Sequence, residues 1–165
     1  MRIRPYISDL DFDVIKNWIT DERTHAMWCA NLIRYLLQKE NFDETLEQLA
    51  VRYEDCPFAA LTDEGKTVGF FCYSVNKETN EGMLKFVIID PELRGRGYGR
   101  EMVRLAVKYG FEFTGVKAVQ LNVFSENINA KKCYLSVGFK ERSNTDNAFR
   151  FRDEMWTRCN MVIAK

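Results

Sequence analysis

The sequence predicts a mixed α/β sheet flanked by helices, folded as a single domain over residues 1–165, and three observations carry that prediction. The hydrophobic period switches between 2 and 3.6 along the chain, in the order strand, two helices, three strands, helix, strand, helix, two strands. The stretch Met83 to Ile89 is apolar at nearly every position, as a strand covered on both faces would be, and only Lys85 interrupts it. The 165 residues, 46% hydrophobic and 29% charged, suit one water-soluble core that buries roughly 70% of its unfolded surface.

Met1 to Ile7 reads as a short strand. Ser8, with Asp11 three residues on, resembles a capping box opening a helix whose apolar face is Leu10, Val14, Ile15, Trp18 and Ile19. Asp21 to His25 breaks that pattern as a polar loop, and Ala26 to Leu37 reads as irregular or partly helical. A capped helix is expected from about Asp43, with Leu46, Leu49, Ala50 and Tyr53 at helical spacing. Pro57 to Thr62 and Thr67 to Val75 form a hairpin about the turn Asp63 to Lys66, and a second turn, Asn76 to Gly82, leads into Met83 to Ile89. Met102, Val103, Ala106, Val107, Phe111 and Phe113 mark an amphipathic helix running to about Thr114. Ala118 to Phe124 is again a strand, and Ser125 or Asn127 caps a short helix with Ala130, Cys133, Tyr134 and Val137 inward, stopped by Gly138. Phe139 to Arg142, a polar turn at Asn144 to Asn147, and a final strand alternating at Met155, Thr157, Cys159, Met161 and Ile163 end the chain.

Between the apolar strand and its helix, Arg94-Gly95-Arg96-Gly97-Tyr98-Gly99-Arg100 places three glycines at alternate positions. Such a turn has bare backbone on one side, and the following helix points unpaired N–H groups and a positive dipole end at it, which suits a phosphate or pyrophosphate. A dinucleotide fingerprint would need a third glycine where Arg100 stands, and a P-loop would need Gly-Lys followed by Ser or Thr; neither is present. Arg94-x-x-Gly97-x-Gly99 instead resembles the acyl-CoA pyrophosphate loop of the GNAT superfamily of N-acetyltransferases. A second segment, Asn127-x-x-Ala130-x-x-x-Tyr134-x-x-x-Gly138-Phe139, is similar to that family's other cofactor segment. The element order is also that of the family, so the resemblance covers nearly the whole chain and implies a mostly antiparallel sheet.

The resemblance implies an acetyl-CoA-dependent N-acetyltransferase acting on a small-molecule amine or a peptide amino group. The N–H groups of the loop, with Gly95, Gly97 and Gly99, would hold the pyrophosphate, and Arg94, Arg96 and Arg100 would add charge-assisted contacts. The strand would splay from its neighbour at a bulge, so that backbone near Val87 and Ile89 pairs with pantetheine and polarises the thioester. Asn127 would contact the pantetheine or phosphate part, and Tyr134 would be the general acid for the departing thiolate. Relatives with a strand carboxylate as base carry it where Met83 stands here; Glu81 is two residues earlier, on the same face of an extended strand but at a turn. The base is thus unassigned, and a catalytically silent acyl-CoA-binding module is the alternative reading. Acceptor specificity in this fold falls to the first helices and last hairpin, which offer His25, Trp28, Tyr35, Phe149, Phe151 and Trp156, with Asp21 to His25 the better pocket segment.

Composition narrows the remaining classes. No apolar h-region follows the N-terminus, and the patch Ala26 to Leu37, interrupted by Asn31 and Arg34, falls short of the ~20 residues of a membrane span; a cytoplasmic protein without membrane partner is expected. Five widely spaced cysteines and one histidine favour reduced core thiols over a disulfide framework or a metal site. Net charge is zero, but residues 1–90 carry 10 Lys/Arg and 16 Asp/Glu while residues 91–165 carry 14 and 8. The basic half suits a polyanionic cofactor and the acidic half a cationic amine. A nucleic-acid stripe at Arg94, Arg96, Arg100 and Arg104 is disfavoured, because zero net charge and interleaved glycines give a phosphate-tracking surface nothing. A final strand at the sheet edge would suit pairing with a second copy, a homodimer.

Overall fold

The computed structural model describes all 165 residues. Seven strands form one sheet: β1 (Arg2–Pro5), β2 (Cys56–Leu61), β3 (Thr67–Asn76), β4 (Glu81–Ile89), β5 (Ala118–Phe124), β6 (Lys140–Phe151) and β7 (Glu154–Ala164), in the order β1-β2-β3-β4-β5-β7-β6. Every pairing is antiparallel except β4 with β5, which are joined by a crossover helix and so run parallel. The helices are α1 (Ser8–Ile15), α2 (Glu22–Cys29), α3 (Lys39–Tyr53), α4 (Tyr98–Tyr109) and α5 (Ile128–Val137). A π-helical turn, Gly110–Thr114, extends α4.

The sheet divides the apolar residues into two main cores. Met102, Val103, Ala106 and Val107 of α4 pack with Tyr134 of α5 on Leu84, Leu121 and Met161. Phe12, Ile15, Phe42 and Leu46, from α1 and α3, cover the other face at Phe70, Phe86 and Ile88. A third, small cluster joins Ala26 of α2 to Phe124 at the end of β5 and Trp156 at the start of β7.

Several expectations shift. Ser8 does not cap α1: it is the first helical residue, and its hydroxyl donates to Asp43 on α3. Asp11 is fully buried, accepting from Arg4 at 2.7 and 2.9 Å, from the Ile7 N–H at 2.8 Å and from Thr67 at 2.8 Å. The polar segment at Asp21 is not a loop, because the Asp21 carboxylate accepts the Thr24 N–H at 2.8 Å and starts α2 there. α3 begins at Lys39, where Gln38 and Asn41 form the capping box. Asn144 to Asn147 is not a turn but part of β6: Asn144 and Thr145 pair with Cys159 and Arg158, Asp146 to Ala148 bulge out with Asn147 at a positive φ of 51°, and pairing to β7 resumes at Phe149. The edge strand is therefore β6, exposed from Lys140 through Ala148, and the final strand β7 lies inside the sheet. Cys56 is exposed, whereas Cys29, Cys72 and Cys159 are buried free thiols. Lys85, the charge in the apolar strand, pairs with buried Asp55 at 2.6 Å. No helix is long and apolar enough to cross a membrane.

Candidate active site

The strand β4 is where the sheet opens. It pairs with β5 only from Glu81↔Ala118 to Leu84↔Leu121; β4 then runs on five residues to Ile89 and β5 three to Phe124 without pairing to each other. On its other side β4 carries one extra residue against β3, between the pairs Cys72↔Lys85 and Phe70↔Ile88. The bulge centres on Phe86, at φ 51°. For a phenylalanine that conformation costs about 1–2 kcal/mol. The Trp28 indole N–H, 2.7 Å from the Phe86 carbonyl, helps to hold it. The bulge shifts the alternation by one, so Leu84, Val87 and Ile89 face the α4 side while Phe86 and Ile88 face α3. Full cover of both faces, expected of this strand, therefore fails at the gap: Val87 and Ile89 are only half-buried.

Backbone donors along this stretch follow from the pairing. The Asp90 N–H donates to the Val68 carbonyl on β3 at 3.0 Å. Since donors alternate along a strand, those of Val87 and Ile89 point into the gap that β5 has left. The parting of the two strands that the resemblance implies near Val87 and Ile89 is present, since β4–β5 pairing stops at Leu84↔Leu121.

The loop that follows is held at its start by Asp90, whose carboxylate accepts the Glu92 N–H at 3.0 Å, and by a short 3-10 turn, Pro91–Leu93. Gly95 at φ 76° and Gly97 at φ 87° flank Arg96, which is not in that region. Alternation of this kind turns successive N–H groups into a concave anion nest. The N–H groups of Gly95, Gly97, Tyr98, Gly99 and Arg100 have no hydrogen-bond partner in the protein; the first intrahelical bond of α4 is from Glu101 to the Gly97 carbonyl. A Cβ on Gly95 or Gly97 would meet nothing within 4 Å. Gly99 differs, since its Cβ would lie 3.5 Å from Ile89 and 3.6 Å from Cys133. The end of β4, the first turn of α4 and α5 thus converge on Gly99. Arg94, Arg96 and Arg100 are exposed around this nest, and none of them forms an ion pair within the chain.

Asn127 is the N-cap of α5: its side-chain oxygen accepts the Ala130 N–H at 3.3 Å, so only its amide NH2 is free to meet a ligand. Tyr134 is 6% exposed, and its hydroxyl hydrogen-bonds to nothing in the chain yet is not sealed from solvent. Burial drives its pKa upward, with Cys133 adding to the effect, so the hydroxyl keeps its proton throughout the neutral range.

Across the gap, α2 bridges the separated strands. Trp28 reaches β4, while Ala26 packs on Phe124 and Trp156. Of the aromatic candidates, Trp28 packs with Phe42, Phe70 and Phe86, and Trp156 with Phe124, Phe149 and Phe151, so both are structural. His25, Tyr35 and Phe151 instead line a cavity together with Glu22. The His25 imidazole approaches Asn31 at 3.3 Å and the Cys29 thiol at 3.4 Å, and burial lowers its pKa, so it is neutral at pH 7.

One residue was missed in the sequence. Glu126, at the end of β5 and beside Asn127, has one carboxylate oxygen 3.4 Å from the Thr157 N–H. Its other oxygen is the only buried side-chain oxygen or nitrogen without a hydrogen-bond partner. An acidic residue abutting the asparagine of the second segment was the available signal. No group of three or more His, Cys, Asp or Glu side chains is gathered to hold a metal ion.

The model of the Acetyltransferase (GNAT) family matches residues 13–139. Spermine/spermidine N(1)-acetyltransferase of Bacillus subtilis strain 168 is 29% identical over 89 residues, which are 50% of this chain and 59% of that protein. An uncharacterized N-acetyltransferase of Methanocaldococcus jannaschii is 26% identical over 114 residues, 66% of this chain and 50% of that one. The chain thus spans little more than half the length of the curated relatives it matches. The fold is that of the spermidine N-acetyltransferase from Vibrio cholerae crystallised with CoA and spermine, with a TM-score of 0.83 at 19% identity over 99% of this chain and 94% of that one.

Proposed function

We propose that this chain, which belongs to the GNAT family of acetyltransferases, transfers the acetyl group of acetyl-CoA to the amino nitrogen of a small molecule or peptide. The observation that carries this reading is the row of unpartnered N–H groups at Gly95 and Gly97 through Arg100, placed where β4 leaves β5. In the proposal these donors hold the pyrophosphate, with Arg94, Arg96 and Arg100 neutralising it. Pantetheine lies in the gap against Val87 and Ile89, with the free NH2 of Asn127 beside it. An N–H in the gap polarises the thioester carbonyl, and such an oxyanion donor is worth about 3 kcal/mol in the transition state.

An alkylammonium of pKa about 10.4 costs roughly 4–5 kcal/mol to neutralise at pH 7. Glu126 is assigned here as the group that takes that proton, because it follows the end of β5 at the gap, one of its carboxylate oxygens has no partner in the chain, and its charge acts on Arg23 of α2. The neutral nitrogen then attacks the thioester carbon. As the C–S bond breaks, sulfur keeps the electron pair and Tyr134 donates a proton to it. The nitrogen gives up its extra proton, which restores Tyr134 through solvent, leaving amide and CoA thiol.

A silent acyl-CoA-binding module is the second reading, favoured by Met83 at the strand position of the usual carboxylate. Calorimetric titration with acetyl-CoA, followed by thiol release against amines, amino acids, polyamines and peptide N-termini, separates the two. Binding with turnover supports the transferase. Binding without turnover leaves the module, and no binding refutes the loop assignment.

A further inference from the structure

A cavity of about 350 Å³ opens between α2, the loop after it and the turn joining β6 to β7. It shares α2 with the gap: Glu22 and His25 of that helix line the cavity, while Trp28 touches β4 and Ala26 the end of β5. Its floor is apolar and aromatic: Ile33 is fully buried, and the buried His25 ring lies 5.1 Å from Tyr35. Its rim is basic, with Arg34, Arg150 and Arg152 set against one carboxylate, Glu22.

The pairing of these charges decides what the cavity can recognise. Arg152 and Glu22 pair at 2.8 Å and cancel. Arg150 donates only from Nε, to the Arg152 carbonyl at 3.1 Å, and Arg34 makes no hydrogen bond or ion pair. Nearby carboxylates do not offset these two guanidiniums. Glu154 accepts both the Arg23 guanidinium and the Trp156 N–H, and its pKa is pulled down to about 2, mainly by Arg23. Asp21 caps α2, and Asp153 does not line the cavity. With His25 neutral, the rim carries two unopposed positive charges whose planar donor edges match an oxyanion. Glu126, which acts on Arg23, is not among the lining residues either, so the lining itself offers a polycation no free carboxylate.

We propose that this cavity is the acceptor site and that its acceptor is an amine also bearing a carboxylate or phosphate, held at Arg34 and Arg150, rather than a polyamine. The inference rests on the transferase reading above.

The test is thiol release from acetyl-CoA with matched acceptors: an amino acid and its amide, an aminoalkyl phosphate and the corresponding amino alcohol, and spermidine. At least one oxyanion-bearing member is expected to exceed its neutral partner and spermidine in kcat/KM by about tenfold or more, as one charge-assisted hydrogen bond allows. Which pair shows the preference tells carboxylate from phosphate. In the Arg34→Gln, Arg150→Gln double variant the preference should shrink to within about threefold, with acetyl-CoA affinity unchanged. Equal or better turnover of the amide, the alcohol or spermidine, or a preference that survives in the variant, overturns this inference and leaves the transferase reading standing. Acetyl-CoA binding without turnover of any amine overturns both.

Discussion

Replacing Gly97 by alanine should weaken acetyl-CoA binding far more than the same change two residues on, at Gly99. Gly97 sits at φ 87° with open space where a Cβ would go, so alanine there meets no clash. Its cost is conformational, about 1–2 kcal/mol to hold an L-residue in the left-handed region. A chain that relieves this strain rotates the peptide into negative φ and turns the Gly97 and Tyr98 N–H groups out of the nest. Two hydrogen bonds to a charged group, at about 1.5–3 kcal/mol each, correspond to a loss of at least about a hundredfold in affinity. Gly99 is helical, and its Cβ would point at Ile89 and Cys133 at ordinary contact distances of 3.5 and 3.6 Å, away from the nest. Alanine there gains up to about 1 kcal/mol of helix propensity and should leave affinity within about threefold. Calorimetric titration of both variants with acetyl-CoA, alongside thermal unfolding, reads both quantities. Wild-type affinity in Gly97→Ala, or an equal loss in Gly99→Ala, would refute the nest as the pyrophosphate site.

Tyr134→Phe removes a hydroxyl that has no partner in the chain, so stability should change by less than about 1 kcal/mol. Turnover should fall about a hundredfold at unchanged acetyl-CoA affinity; full turnover would end the general-acid assignment. Glu126→Gln should lower turnover strongly at pH 7 and regain it toward about pH 10, where an alkylamine is neutral without help. A loss equally deep at every pH would remove Glu126 as base. Burial by itself would raise the Asp11 pKa, but the bonds from Arg4, the Ile7 N–H and Thr67 outweigh it and hold the carboxyl below its ordinary value. Asp11 therefore stabilises the fold above the ordinary aspartate range, and that contribution is lost as pH falls from about 4 downward. Asp11→Asn should cost about 1–3 kcal/mol at pH 7, since it replaces charge-assisted bonds from a partly exposed Arg4 by neutral ones, and should flatten that acid limb in denaturant titrations; an unchanged acid limb would refute the linkage.

Much of this protein was legible because it is local. Glycine spacing, caps and periodicity constrain the backbone within a few residues, so the loop at Arg94 to Arg100, α4, β5 and α5 with Tyr134 inward follow from the sequence. Whatever depends on distant partners did not. Nothing around Phe86 announces a positive φ, which is held by an indole 58 residues away in sequence. Asp11 reads as a cap until Arg4 and Thr67 enclose it. The interior place of β7, the exposed edge at β6 and the cavity formed where α2 meets the β6–β7 turn are likewise products of sheet order. By itself, the sequence determined most of the elements and the glycine positions of the nest, since dihedral preference and hydrophobic period act along the chain. Only the tertiary structure decided that the bulge centres on Phe86, which strand lies at the sheet edge and which charges are paired, because strand order and ion pairing are settled by burial among residues far apart in the chain.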